Sequence, residues 1–173
     1  VGLIACQWLH HLGVRVIGTA GGSDKCELAR RHGCAEVIDY LREDVAERVR
    51  QLTDGQGVPL VYDGVGRATL TASLDCLRPR GTLVAFGNAS GAPEPLDILE
   101  LSRRGSLFLT RPRLMDYTAD PGELQGCARA LFEMVRCGAL QVAIHQRWPL
   151  AEAALAHRAL QNRQTTGSTI LCP

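Results

Sequence analysis

The sequence predicts an α/β fold with a doubly wound parallel sheet, and three observations support this prediction. Short apolar stretches rich in β-branched residues alternate with stretches of helical periodicity along most of the chain. Turns that contain glycine separate these stretches. The 173 residues, of which 46% are hydrophobic, are enough for a packed core. Alternation of this kind is typical of parallel strands covered by helices on both faces.

Glycine signals set the bounds of the elements in the first part of the chain. Gly13 follows the first helix as a C-cap, and Gly33 closes the second helix in the same way. Gly21 and Gly22 end the first strand, which is short, apolar and partly β-branched. The predicted helices cover residues 3–12, 23–31, 43–53, 68–77 and 96–102, and the predicted strands cover residues 14–19, 36–38, 58–62, 81–87 and 106–110.

The pattern changes beyond residue 112. Two long helices are predicted at residues 121–137 and 150–161, with strands at 143–148 and 168–172. These elements do not continue the regular alternation. We therefore predict a first domain of residues 1–112 and a C-terminal α+β segment of residues 113–173.

The first domain has five predicted strands, one fewer than a complete Rossmann-type dinucleotide-binding fold. That fold starts with the strand before a glycine turn, and Val1-Gly2 resembles the end of such a turn, although the pair also fits an ordinary turn. In the strand order 3-2-1-4-5-6 the first strand is central, so its absence leaves two sheet pieces. We expect a Rossmann-type sheet lacking its first strand, within a longer protein that supplies that strand.

Composition excludes several classes of function. The formal charge of +1 gives no general attraction to nucleic acid or acidic membranes, and no apolar run approaches the length of a membrane span. An odd number of scattered cysteines fits neither a disulfide framework nor paired zinc ligands, and predicts free thiols in the cytoplasm. These cysteines are Cys6, Cys26, Cys34, Cys76, Cys127, Cys137 and Cys172.

The loop after the first predicted strand favours NADP (NADPH) over NAD. Ala20 stands where an NAD-binding fold places an acid against the ribose 2′-hydroxyl. Glycine N–H groups, a hydroxyl and an ammonium follow it, and these suit a 2′-phosphate. Ser23 as a helix N-cap and Lys25 as a solvated charge are the alternatives. The residues that offer these groups are Gly21, Gly22, Ser23 and Lys25.

Several motifs in register carry a resemblance that runs over nearly the whole chain. They read V-G-L-I-A-C-Q-W, V-I-G-T-A-G-G-S-D-K, A-E-V-I-D-Y, V-Y-D-G-V-G, L-D-C-L-R-P-R-G, F-G-N-A-S-G, G-S-L-F-L-T-R-P and R-Q-T-T-G-S. With these motifs the sequence resembles the bacterial NADPH:quinone oxidoreductases, which are relatives of zeta-crystallin and zinc-independent medium-chain dehydrogenases/reductases.

The resemblance implies hydride transfer from NADPH to a quinone or a similar electron-poor acceptor, without metal. It also implies that the C-terminal segment belongs to a catalytic domain whose other part lies upstream, so that this chain alone is inactive. The implied cofactor-binding residues are Val1, Gly2, Gly21, Gly22, Ser23, Lys25, Tyr40, Gly64, Phe86, Gly87, Asn88, Ser90 and Arg163.

The resemblance gives each of these residues a place along the cofactor. Gly2 lies under the pyrophosphate, Tyr40 on the adenosine side, and residues 86–90 near the nicotinamide ribose. Gly64 lets the cofactor run close to the backbone. Arg163 reaches back to the cofactor, or is an exposed arginine at a helix end.

No acid, base or metal ligand stands out in the sequence, and the catalytic residues stay unknown. The histidines fall in helical stretches or beside a strand, where packing and surface roles are usual; they are His10, His11, His32, His145 and His157. An enoyl reductase, a zinc-type alcohol dehydrogenase and a non-catalytic crystallin-like or RNA-binding module are the alternative functions.

The strand at residues 106–110 predicts a homodimer. It would form the edge of the sheet, and Leu107, Phe108 and Leu109 make that edge apolar. In the family that the sequence resembles, edge strands of two subunits pair across a two-fold axis. We expect the same arrangement here, with a small quinone-like molecule as the other partner.

Overall fold

The computed structural model describes all 173 residues, which form two compact units. Unit 1 consists of Val1–Val37 and Arg129–Pro173, and unit 2 of Ile38–Ala128. The boundaries fall inside the strand Glu36–Asp39 and the helix Pro121–Arg136. None of the helices combines the length and the apolar composition needed to cross a lipid bilayer.

Helices and strands alternate along the chain, with one additional 3-10 turn at Leu150–Glu152. The α-helices are α1 (Gly2–His11), α2 (Ser23–Arg31), α3 (Val45–Leu52), α4 (Leu70–Asp75), α5 (Leu99–Arg103), α6 (Leu114–Tyr117), α7 (Pro121–Arg136) and α8 (Ala153–Gln161). The strands are β1 (Ile17–Ala20), β2 (Glu36–Asp39), β3 (Val58–Asp63), β4 (Leu77–Ala85), β5 (Phe108–Thr110), β6 (Ile144–Pro149) and β7 (Ser168–Cys172).

The strands are arranged in three sheets. β1 and β2 form one, β3, β4 and β5 form the second in that order, and β6 and β7 form the third. All pairs in the second and third sheets are parallel. The predicted fold class is confirmed, and the first five strands fall into the two sheet pieces that the strand order predicts.

The core of unit 2 lies around β4. Leu83, in the middle of this strand, is completely buried, and it packs with Leu74, Leu77 and Leu107. The packing of these side chains removes apolar surface from water and so stabilises the sheet against α4.

The predicted strand at residues 106–110 is wrong at its first two positions, because β5 begins at Phe108. Ser106 has φ +59°, which is not extended backbone, and Leu107 turns into the core with 6% of its surface exposed. The edge strand is therefore three residues long. Leu107 is a core residue and cannot contribute to an exposed edge.

The core of unit 1 contains two thiols. Cys26 of α2 and Cys34, which follows α2, are buried together with Val37. The half-buried side chains of Cys6 and Val16 pack against them. Small thiols of this kind let the helices lie close to β1.

Several other element bounds differ from the prediction; β1 begins at Ile17 rather than at residue 14, and α4 covers Leu70–Asp75 rather than residues 68–77. β4 begins at Leu77, before the predicted position 81, and its register with β3 shifts around Arg80, which has φ +60°. The strand is irregular at this point, next to Pro79 and Gly81. The short helix α6 is not predicted from the sequence.

Candidate functional site

The loop after β1 leads directly into α2. Gly22 occupies the N-cap position with φ +89°, a conformation that side chains with a Cβ rarely adopt. Ser23 is the first residue inside the helix, so it is not the N-cap, and its hydroxyl donates to the Asp24 carboxylate at 3.3 Å. The first N–H to bond back along the helix is that of Cys26, to the carbonyl of Gly22.

Lys25 connects this loop to the distant Arg163. Its Nζ atom donates a hydrogen bond to the Arg163 carbonyl at 2.5 Å, across 138 positions of sequence within unit 1. Arg163 follows the C-cap of α8 and has φ +57°. Lys25 is the only lysine in the sequence. The structure thus brings two of the predicted cofactor residues together.

The chemistry of this segment fits a phosphate group. α2 presents the positive end of its helix dipole, and one ammonium lies in its first turn. Ala20, at the end of β1, offers no carboxylate to a ribose hydroxyl. The one acid of the segment, Asp24, accepts the hydroxyl of Ser23.

Val1 and Gly2 lie at the start of α1 and are both exposed. Val1 is the N-cap residue and makes no side-chain capping bond, while its carbonyl accepts from Ala5 at 3.0 Å. A Cβ built on Gly2 would meet nothing within 4 Å. The N–H groups at a helix start suit an anionic ligand.

In unit 2, two loops at the carboxyl ends of parallel strands lie side by side. We call residues 64–69, after β3, the β3 loop, and residues 86–92, after β4, the β4 loop. The N–H of Phe86 donates to the Asp63 carbonyl at 2.8 Å, and the N–H of Ser90 donates to the Val65 carbonyl at 2.8 Å. Ligands of open α/β sheets bind at this edge.

A buried carboxylate organises the β3 loop. Asp63, with 5% of its surface exposed, accepts from the Thr69 hydroxyl at 2.7 Å and the Ser73 hydroxyl at 2.8 Å. Its other oxygen accepts the backbone N–H groups of Val65 and Gly66 at 2.7 and 3.1 Å. Burial raises the pKa of Asp63, but these hydrogen bonds outweigh it and hold the pKa below its ordinary value of 3.8.

Glycines allow the two loops to pack closely. A Cβ on Gly87 would lie 2.3 Å from the Gly64 carbonyl oxygen, and a Cβ on Gly64 would lie 2.8 Å from the Phe86 ring. The space beside Gly64, which the sequence predicts for a cofactor, is occupied by this ring. The ring is 39% exposed and belongs to a side chain that can rotate.

The remaining predicted residues of unit 2 have different surroundings. The Ser90 hydroxyl is used within the protein, since it donates to the Val65 carbonyl and accepts from the Ala68 N–H. Asn88 is exposed, and its carbonyl accepts from Gly91. Tyr40 follows β2 and is exposed.

The predicted site residues therefore form two groups. Lys25 and Arg163 meet in unit 1 together with the start of α2, and Gly64 meets Phe86, Gly87 and the rest of the β4 loop in unit 2. No group of three His, Cys, Asp or Glu side chains is placed to hold a metal ion.

Sequence reasoning missed Asp63, Thr69 and Ser73. The signal was present as an aspartate at the end of a strand, followed by glycines and hydroxyl residues. Such an aspartate is typical of a turn in which the carboxylate accepts backbone N–H groups two and three residues later.

Comparison with known proteins gives a consistent result. Quinone oxidoreductase of Pseudomonas aeruginosa is 52% identical over 100% of this chain and 53% of its own length. 2-Haloacrylate reductase of a Burkholderia species is 46% identical over 100% of this chain and 52% of its own length. The chain spans about half the length of these relatives.

Solved structures agree with these relatives. The crystal structure of Escherichia coli quinone oxidoreductase complexed with NADPH superposes with a TM-score of 0.96 at 43% identity, over 100% of this chain and 54% of that one. The family model described as zinc-binding dehydrogenase matches residues 1–118. The chain is thus homologous to quinone oxidoreductases and belongs to the zinc-binding dehydrogenase family.

Proposed function

We propose that the full-length protein carrying this chain is an NADPH-dependent oxidoreductase that transfers hydride to a quinone or a similar electron-poor acceptor, without metal. The observation that carries the proposal is the pairing of Lys25 with the Arg163 carbonyl beside the start of α2. The relatives named quinone oxidoreductase, one of them crystallised with NADPH, support it.

The first group of residues supports the choice of NADPH. Phosphate at the ribose 2′ position carries negative charge, which the Lys25 ammonium and the α2 dipole favour. Because Lys25 is held at the Arg163 carbonyl, the ammonium is positioned before a ligand arrives and loses less side-chain entropy on binding. Ala20 gives the unphosphorylated coenzyme no carboxylate to bind.

The contacts between the β3 loop and the β4 loop support a role in positioning the cofactor. NADPH, when bound, supplies the hydride, and the protein fixes the position of its nicotinamide ring. Asp63 and Ser90 hold the β3 and β4 loops in one arrangement through hydrogen bonds that are made inside the protein. A rigid loop pair at the carboxyl edge of the strands suits this task.

Coenzyme affinity tests the proposal directly. We expect NADPH, and not NADH, to quench the fluorescence of the full-length protein at micromolar concentrations. In the Lys25→Met variant the Kd for NADPH should rise at least about tenfold, since a hydrogen bond to a charged group is lost, while that for NADH stays the same.

Arg31→Met is the matched control, because Arg31 lies in the last turn of the same helix. It should leave both affinities unchanged. Equal losses of NADPH and NADH affinity in the Lys25→Met variant would contradict the proposed 2′-phosphate role. No affinity for either coenzyme would instead favour the non-catalytic alternative.

The acceptor is tested by turnover with NADPH. We expect oxidation of NADPH in the presence of para-benzoquinone. A second candidate is reduction of an electron-poor carbon–carbon double bond, which the similarity to 2-haloacrylate reductase favours. Turnover of a 2-haloacrylate in the absence of quinone turnover would establish this second function.

Metal independence is proposed on the resemblance to the zinc-independent branch. Activity should survive dialysis against EDTA, and elemental analysis should find less than one zinc per chain. Loss of activity that zinc restores would establish the zinc-type alcohol dehydrogenase alternative. We also propose a cytoplasmic location, where NADPH is available and free thiols persist.

We further propose a homodimer through β5. The strand lies at the end of the β3-β4-β5 order, and Phe108 and Leu109 are 61% and 39% exposed. An exposed apolar edge strand favours pairing with another strand. Pairing of β5 with its copy across a two-fold axis covers this edge in both subunits.

A further inference from the structure

Two thiols lie against each other in unit 1. Cys6 of α1 packs against the buried cluster that contains Cys34, which lies three residues after the end of α2. Their Sγ atoms are 3.1 Å apart, with Cys34 donating the hydrogen bond. The residues are 28 positions apart in sequence. Their sulfur atoms need to approach by only about 1 Å to reach the length of a disulfide bond.

The position of the Cys34 thiol is fixed by its surroundings. A Cβ on Gly18 would lie 2.8 Å from this sulfur, so the glycine leaves the space that the thiol fills. Cys34 is 6% exposed and packs with Cys26 and Val37. The donor is therefore held toward Cys6 by packing, and the pair meets in one geometry.

The hydrogen bond makes the two thiols chemically different. The pKa of Cys6 is lowered from 9.0 to about 7, with the bond donated by Cys34 as the largest cause and burial as the opposing effect. The pKa of Cys34 is raised, because its proton is held in that bond. At neutral pH a substantial fraction of Cys6 is thiolate, which is the reactive form of cysteine.

One thiol of the pair, Cys34, borders an open cleft. Cys6 is half-buried, and Cys34 lines an open cleft with Gln7, His10 and His32. Arg30 and Arg31 also line the cleft, and each pairs with Glu27.

We propose that Cys6 and Cys34 form an oxidisable dithiol site that a hydroperoxide converts into an intramolecular disulfide. The Cys6 thiolate attacks the outer oxygen of the hydroperoxide, the O–O bond breaks, and Cys6 becomes a sulfenic acid while water or an alcohol leaves. The Cys34 sulfur then attacks the Cys6 sulfur and a second water leaves. Two thiols lose two electrons and two protons, and the peroxide is reduced.

The test uses the reduced full-length protein. Hydrogen peroxide is added, remaining thiols are alkylated, and peptides are analysed by mass spectrometry. We expect a linked peptide pair containing Cys6 and Cys34, two hydrogen masses lighter than the reduced peptides, which dithiothreitol separates again. The rate should rise with pH through the lowered pKa of Cys6.

Three variants sharpen the test. Cys34→Ser should stop the reaction at a Cys6 sulfenic acid that a 1,3-diketone probe traps. Cys6→Ser should slow peroxide consumption at least roughly tenfold, since the low-pKa thiolate is gone. Cys137→Ser, which removes an exposed thiol bonded to the Met134 carbonyl, should change neither rate nor product.

The proposal fails if the wild-type protein keeps both Cys6 and Cys34 alkylatable after peroxide has oxidised the exposed Cys127 or Cys137. It also fails if the linked product joins other cysteines. Both outcomes are measured on the wild-type protein, so they test the proposal even if a variant does not fold.

Discussion

Asp63 is the only buried charged residue of the chain, and its position explains the order of the β3 loop. A buried carboxylate is costly unless hydrogen bonds satisfy it, and Asp63 accepts them from Thr69, Ser73 and two backbone N–H groups. Since these donors come from the loop and from the first turns of α4, one side chain ties both to the end of β3.

We predict that Asp63→Asn destabilises the protein by about 2 kcal/mol at neutral pH, because hydrogen bonds to a charged group are lost. The pKa of Asp63 is lower in the folded state than its ordinary value of 3.8. The carboxylate therefore stabilises the protein above that value and loses its contribution as the pH falls through the folded pKa. Urea unfolding of the two proteins at several pH values should show their difference shrinking toward acid.

Glu94→Gln is the control, because the Glu94 carboxylate is 82% exposed and 3.8 Å from Arg67. Its loss should change stability by less than about 0.5 kcal/mol at any of these pH values. A difference between wild type and Asp63→Asn that stays constant down to acid would show that the carboxylate charge is not what stabilises the loop.

Gly87 packs directly against the backbone of Gly64. We predict that Gly87→Ala costs about 1–3 kcal/mol, because its Cβ would lie 2.3 Å from the Gly64 carbonyl oxygen and the loops must separate. Thermal unfolding measures this loss. Gly126→Ala in α7, where a Cβ meets nothing within 4 Å, should be neutral or stabilising; equal effects at both positions would exclude the close packing of the loops as the cause.

Helix ends show how far local signals determine an element. Gly13 has φ +74°, its N–H donates to the His10 carbonyl, and the N–H of Val14 donates to the Leu9 carbonyl. This is the Schellman arrangement that a glycine after a helix predicts. The bounds of α2, residues 23–31, were predicted without error for the same reason, since glycines lie on both sides.

Elements whose bounds depend on packing were predicted less well. Leu107 belongs to an apolar run that continues into β5, yet its side chain is buried in the core. Ser106 has a positive φ, so the backbone is not extended immediately before Leu107. The irregular start of β4 is held by a hydrogen bond from the Arg80 N–H to the Gly105 carbonyl. Contacts between distant segments are not visible in a local pattern.

α8 ends in the same Schellman arrangement, but with Arg163 in the place of glycine. The N–H of Arg163 donates to the Leu160 carbonyl, and its φ is +57°. Left-handed backbone at a residue with a side chain costs energy and is retained where the residue has another use. The use that we propose is cofactor binding by the side chain, next to the carbonyl that holds Lys25.

We predict that Arg163→Gly preserves or raises stability, by up to about 1 kcal/mol, because glycine adopts this φ without strain. It should still weaken NADPH binding about tenfold through loss of the guanidinium. Urea unfolding and fluorescence titration measure the two effects. Arg163→Lys keeps a cation and should bind NADPH better than Arg163→Gly; equal NADPH affinity in both variants and the wild type would assign Arg163 a purely structural role.

At the scale of the whole molecule, the sequence predicted segments for the candidate site but not the contacts that the structure shows among them. The resemblance to quinone oxidoreductases implied residues in both the β3 loop and the β4 loop. The contact of Lys25 with Arg163 joins positions 138 residues apart, and only the fold shows it. The hydrogen bonds of the Ser90 hydroxyl to Val65 and Ala68 of the β3 loop also depend on the register between the strands, which the composition does not determine.

The homodimer that we propose depends on the short edge strand β5. Because Leu107 is a core residue, charge at that position should unfold the protein rather than separate subunits. A test of assembly must instead change Phe108 and Leu109, whose side chains are exposed.

We predict that the Phe108→Lys/Leu109→Lys double variant of the full-length protein is a folded monomer, since charged side chains on an edge strand oppose pairing. Light scattering gives the mass, and circular dichroism shows that the fold is kept. Leu160→Lys changes a leucine of α8 that is 57% exposed and should leave the dimer intact. A wild-type monomer, or a double variant that remains dimeric, would show that β5 is not the interface.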